Sequence, residues 1–163
     1  MTVLDDVREE ARVDGDFGAW ASPHLPLMGR VAARLAPGAD RDDVVQEALS
    51  RAWRRRSTFD AGRGTPAAWL AAIVAGEARR ARGRTRPSLQ LVDAPVEDSR
   101  RDIDLERAVA RLPARQREAV DLHYFAGLTV VETALAMGCA EGTVKSTLSD
   151  ARSRLRTLLG EDT

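Results

Sequence analysis

The chain has 163 residues, 44% of them hydrophobic, enough to bury one medium core or two small ones. Lysine plus arginine and aspartate plus glutamate both total 25, so the net charge is zero, and the lone Cys139 excludes an internal disulfide. No apolar run approaches the roughly 18 residues of a membrane span, and the acidic start MTVLDDVREEARVDGD has no secretory core. These features exclude a disulfide-stapled secreted scaffold and a membrane-inserted protein, and place the chain in the cytoplasm.

Strand alternation is absent and helical periodicity recurs, so the fold class is all-α. Leu25, Met28, Val31, Ala32 and Leu35 share a face that ends at Pro37-Gly38. Asp40 suits an N-cap, with Asp43 near the positive end of the next helix. There Val44, Val45, Ala48, Leu49, Ala52 and Trp53 form an apolar stripe opposite Asp43, Gln46, Glu47 and Ser50. The loop STFDAGRG follows. Thr65 then caps a helix with Pro66 at its first position, whose expected buried face is Trp69, Leu70, Ile73 and Val74. That helix runs into the basic RRARGRTR. Both Trp53 and Trp69 are expected in the core.

Periodicity lapses over residues 85–102, which carry Pro87, Pro95 and several charges and read as a flexible linker. It separates two small helical domains, residues 1–84 and 103–163. The second resumes with Leu105, Val109 and Leu112, and Pro113 starts its next helix. Thr129 and Glu132 spell a capping box. Gly138 stands at a turn that calls for a left-handed residue, and Ala134 where two helices approach closely. Val144 and Leu148 anchor the following helix, so Glu141, Thr143, Lys145, Ser146, Thr147 and Asp150 face outward. This is the spacing of a helix-turn-helix, whose second helix enters a major groove. It also suits an ordinary helical hairpin. Arg115, Arg117 and Arg152 are placed either to meet phosphates or to solubilise the surface.

No P-loop, HExxH or Cys/His ligand cluster is present. His24 and His123 are isolated in sequence, and Cys139 reads as a small buried hydrophobe. The expectation is a non-enzyme with no metal, no cofactor and no small-molecule substrate.

The segment LPARQREAVDLHYFAGLTVVETALAMGCAEGTVKSTLSDARSRL resembles region 4 of bacterial sigma factors, which reads the promoter −35 element. The block DRDDVVQEALSRAWRRRSTFD, followed by AWLAAIVAGEARRARGR, resembles region 2. Two regions in this order with only a linker between them are similar to the compact extracytoplasmic-function (ECF) group of the sigma-70 family. The resemblance implies promoter recognition together with core RNA polymerase, and an anti-sigma protein as a further partner. It implies that Asp43, Gln46 and Glu47 grip the polymerase clamp. It assigns Phe59, Arg63, Arg79, Arg80 and Arg82 to the melted −10 element. To the −35 element it assigns Arg115, Arg117, Glu141, Thr143, Lys145, Ser146, Thr147 and Arg152.

The sequence departs from the family pattern at Gly76, where asparagine is usual, and at Arg80, where aspartate is. It departs again at Ala140, Thr147 and Asp150, all in or beside the recognition helix. Two rivals stand beside the resemblance: a conventional helix-turn-helix regulator that binds DNA without polymerase, and a sigma-like interaction module that has lost promoter function. Without the resemblance, the acidic ridge reads as a solvated face with a Glu47–Arg51 pair.

Overall fold

The computed structural model of the chain describes residues 15–84 and 99–160 and, among them, is built of helices and turns without strands. Helix α1 (Phe17–Ala21) starts where Asp16 accepts a hydrogen bond from the Ala19 amide at 3.1 Å, and a 3₁₀ turn joins it to α2 (Leu25–Leu35). Helix α3 (Arg41–Arg54) begins at Asp40, whose carboxylate takes the Asp42 and Asp43 amides at 2.9 and 3.1 Å. Helix α4 (Pro66–Arg84) begins with the Thr65 hydroxyl accepting from the Ala68 amide at 3.1 Å. Each cap satisfies amides that a helix start otherwise leaves without partners.

The second half holds α5 (Ser99–Ala110), α6 (Ala114–Val120), a π turn over Asp121–Phe125, α7 (Val130–Met137) and α8 (Glu141–Leu159). Helix α5 starts at Ser99, inside the segment expected to be linker. The Thr129–Glu132 capping box forms with both bonds in place, 3.1 Å to the Glu132 amide and 2.8 Å from the Thr129 amide. Gly138 ends α7 at φ 64°, ψ 40°. A Cβ there would meet nothing within 4 Å, so substitution costs conformational energy alone. Gly138→Val should lower stability by roughly 1–2 kcal/mol, read as a drop in the denaturation midpoint with no change in helix content.

Met28, Val31, Leu70 and Val74 are fully buried in the first half, and Leu122, Val144 and Leu148 are buried in the second. These belong to one continuous buried cluster, because the halves pack together. Helix α4 lies against both α2 and α3 on one side and against α7 on another. The relative placement, on which sequence is silent, is therefore a docked one. Among the described residues no helix is long and apolar enough to cross a membrane.

Three local expectations need correcting. Trp53 is not in the core: it is 45% exposed, packed edge-on to Phe17 at 5.5 Å with the Arg56 guanidinium 3.8 Å over its ring. It sits at the flank of its helical stripe, and α1, which sequence periodicity passes over, supplies the covering ring. Leu25, in the first turn of α2, is likewise exposed. The Glu47–Arg51 pair gives way to Arg51 on Glu77 of α4, because Glu77 is buried and requires a cation.

Candidate polymerase and promoter interfaces

The cap at Asp40 sets the rotation of α3, and burial of Val44, Ala48 and Ala52 turns the opposite face outward. Asp43, Gln46 and Glu47 are all exposed on that face. Asp43 and Glu47, one turn apart, border a shallow groove that Asp40 and Ala39 also line. The result is a rigid acidic ridge, suited to basic side chains of a large partner.

The loop after α3 leads into an aromatic cluster. Phe59 lies edge-on to Trp20 at 5.4 Å and to Trp69 at 5.6 Å, and Trp20 and Trp69 are 5.9 Å apart. Phe59 and Trp69 are half-buried there, so Phe59 is fixed in place. Arg63 and Arg82 are exposed, on the loop and near the end of α4. Next to the cluster, Arg51, Arg55 and Arg80 border a second shallow cleft floored by Trp69, Ile73 and Gly76. The buried Glu77 carboxylate holds Arg80 at 2.5 Å and also Arg51. One buried anion thus orients two arginines at the cleft wall. Sequence reading passed over Glu77. Its signal was a charged residue one turn beyond Ile73 on a buried stripe, a position that demands a cationic partner.

Arg79 takes a different role from its neighbours. Its guanidinium reaches into the second half, with Nε donating to Glu118 Oε1 at 2.9 Å and Nη2 to the Ala136 carbonyl at 2.8 Å. Arg34 makes a parallel crossing. Its Nη1 meets Glu106 at 2.8 Å, its Nε and Nη2 converge on Asp121 Oδ1 at 3.1 and 2.7 Å, and its carbon lies 3.7 Å over the Phe125 ring. Burial pushes the Asp121 carboxyl above the usual carboxylate range, with the Arg34 charge pulling it back. Burial also works against the Arg34 charge, but its bond to Glu106 and its attraction to Asp121 outweigh that and raise its pKa further.

In the helix-turn-helix, Val144 and Leu148 are buried as expected, and Glu141, Thr143, Lys145 and Ser146 are exposed on one side of α8. Thr147 is half-buried, and the Ser146 hydroxyl donates to the Thr143 carbonyl at 3.0 Å. Arg152 is exposed and reaches the Tyr124 hydroxyl at 3.1 Å. Arg115 is exposed with a long contact to the Met137 carbonyl at 3.4 Å. Arg117 is folded back on the Ala110 carbonyl at 3.3 Å, with its Nε buried. The candidate −35 residues therefore divide into an open set on α8 with Arg115 and Arg152 beside it, and the retracted Arg117. His123 Nδ1 lies 2.7 Å from the Leu128 carbonyl, and half-buried Cys139 packs on the core.

Residues 14–87 match the Sigma-70 region 2 family and residues 102–155 the Sigma-70 region 4 family. The chain is 37% identical over 145 residues to the ECF RNA polymerase sigma factor SigM of Mycobacterium tuberculosis, covering 83% of this chain and 71% of that protein. It is 34% identical over 149 residues to EcfG of Rhodopseudomonas palustris, covering 85% and 82%. Among solved structures, the sigma factor RpoE of Bartonella quintana, in complex with the anti-sigma factor NepR, superposes with a TM-score of 0.69 at 32% identity. The match covers 91% of this chain and 99% of that one. With both regions matched in order and relatives of this identity and coverage, the chain belongs to the ECF group of the sigma-70 family, the alternative sigma factors of RNA polymerase.

Proposed function

We propose that Asp43, Gln46 and Glu47 form the grip on core RNA polymerase, and that α8 reads the −35 element through Glu141, Thr143, Lys145 and Ser146. Region 2 captures the melted −10 strand beside Phe59 and Arg63, with Arg80 and Arg82 along its backbone. The reading rests on one juxtaposition: a single neutral chain carries an exposed acidic ridge and an exposed hydrogen-bonding helix face on separate units. Neutrality fits a factor whose hold on DNA is supplied by polymerase, because phosphate neutralisation drives free binding. Thr147 at the edge of the face and retracted Arg117 play lesser parts, and Arg115 and Arg152 meet backbone phosphates. The site of action is the cytoplasm, and an anti-sigma protein is a fitting regulator, given the likeness to RpoE in its NepR complex.

A helix-turn-helix regulator acting alone would bind DNA as a symmetric dimer and would have no use for the ridge. Run-off transcription with purified core polymerase separates the two. The chain should confer new start sites with polymerase and bind the same DNA feebly without it. Equal DNA binding with and without polymerase, or no new start site on any promoter of a genomic template pool, would sink the proposal.

A further inference from the structure

Two departures from the family pattern, Gly76 and Arg80, meet at the cleft between α3 and α4. At Gly76 the floor is open, since a Cβ there would meet nothing within 4 Å. Arg80 puts a cation on a wall where aspartate is usual, beside half-buried Arg51 and exposed Arg55. Glu77 makes this arrangement possible. Its carboxylate, 4% exposed, accepts from Arg51 Nε and from Arg80 Nη1, the latter at 2.5 Å. It cannot swing away without leaving a desolvated charge behind. Each guanidinium is held by one nitrogen and keeps its other donors for a ligand. Three guanidiniums against one carboxylate leave the wall with a surplus of positive charge. Trp69 joins the cleft to the aromatic cluster: it forms part of the floor and lies 5.6 Å from Phe59.

Resting on the initiation reading, we infer that Glu77 is a positioning residue for the melted −10 strand. It holds Arg51 and Arg80 as a fork that, with Arg55, takes a backbone phosphate of that strand in the cleft over Gly76. Asparagine and aspartate side chains can read base edges, whereas arginine on phosphate fixes position and carries no sequence information. In this chain the cleft therefore grips the strand without reading it. Fixing the two guanidiniums before DNA arrives lowers the ordering cost of binding, and arginine suits phosphate because its planar fork can bond two oxygens at once. A strand held beside Phe59 passes the cleft across the face of Trp69.

The test uses holoenzyme made from the full chain and purified core polymerase. The probe is fluorescent DNA with a premelted −10 segment, taken from a promoter that run-off transcription identifies, and a pool with that segment randomised. Gly76→Leu fills the cleft and leaves the arginines in place, and leucine favours a helix more than glycine does, so the fold is kept. It should weaken binding about tenfold for every sequence in the pool. Arg80→Ala should weaken binding about three- to tenfold, again uniformly, and flatten the salt dependence by about 0.7 for one phosphate contact on a single strand. Glu77→Gln should reproduce both changes, and combining it with Arg80→Ala should add less than the product of the two losses. A merely structural Glu77 would lower the melting temperature and leave the salt slope alone. Glu77 also borders the groove beside Asp43 and Glu47, so core affinity is measured in parallel and should stay within about twofold. The inference is overturned if Gly76→Leu binds like wild type, if the salt slope does not move, if the losses are confined to particular −10 sequences, or if core affinity falls as far as DNA affinity. Initiation by the wild-type holoenzyme reports on the underlying reading separately.

Discussion

Arg34→Ala should cost about 3 kcal/mol or more and lower the melting temperature by roughly 10 °C. The side chain neutralises Asp121, which is 5% exposed, and itself lies over the Phe125 ring. Taking away one partner of a buried pair leaves a desolvated charge, which is why the loss exceeds that of a surface pair, about 0–1 kcal/mol. The penalty should depend on pH with a definite sign. Burial raises the folded-state pKa of Asp121 above its ordinary value of 3.8, so in the window between the two values the folded chain holds a proton there that the unfolded chain has released. Stability from this group is therefore fully present below the ordinary carboxylate pKa and falls as pH rises through the raised one. Without Arg34 the rise is larger, so the variant's deficit should be greatest near neutrality and shrink as the carboxyl protonates in acid. Denaturant titrations at several pH values measure this directly. A loss under about 1 kcal/mol at neutral pH would mean that the docked halves are not the population in solution, since a solvated Asp121 would have no need of Arg34.

Asp43→Ala with Gln46→Ala should do the opposite, leaving the fold alone and removing function. Both side chains are exposed on α3 and make no hydrogen bond or ion pair among the described residues, so stability should stay within about 0.5 kcal/mol. If the ridge is the grip on polymerase, losing one charge and one amide from a rigid helical face should weaken core binding about 100-fold. That corresponds to about 2.7 kcal/mol. Run-off transcription at limiting factor and a direct core-binding assay check it together. Activity within twofold of wild type, with binding intact, would move the grip elsewhere on the chain. The double variant also separates the rivals, because a regulator working without polymerase would keep its DNA affinity.

The chain is neutral as a whole but charged locally. Asp42, Asp43 and Glu47 stand together on α3, and Arg51, Arg55 and Arg80 are gathered at one cleft. Two of those three arginines are held by Glu77. A sum over the chain therefore conceals local fields of opposite sign, each on its own face.

How much was legible divides along sequence distance. Asp40, Thr65, Thr129 with Glu132, and Gly138 announced helix ends because a cap or a left-handed turn involves residues within a few positions of one another. The stripes through Met28, Val31 and Leu35 and through Val144 and Leu148 announced which faces are buried, and so left Asp43, Gln46, Glu47 and Lys145 facing out. Helix α1 was missed because five residues are too few for periodicity to register, and with it went the correct place of Trp53. The contacts that define the docked arrangement join residues 87, 72, 39 and 96 positions apart, across Arg34–Asp121, Arg34–Glu106, Arg79–Glu118 and Arg30–Ala126. Nothing local distinguishes those arginines from the solvated ones beside them.

The amino-acid order alone settled the longer helices, their caps, the two-unit plan and most of the outward faces, since each follows from interactions within one or two helical turns. Tertiary structure alone decided that the units dock, that Arg34 and Arg79 are spent across the seam and that Glu77 organises a pair of arginines. These depend on which surfaces meet once the chain is folded, and the energy of a charge is set by what surrounds it in space.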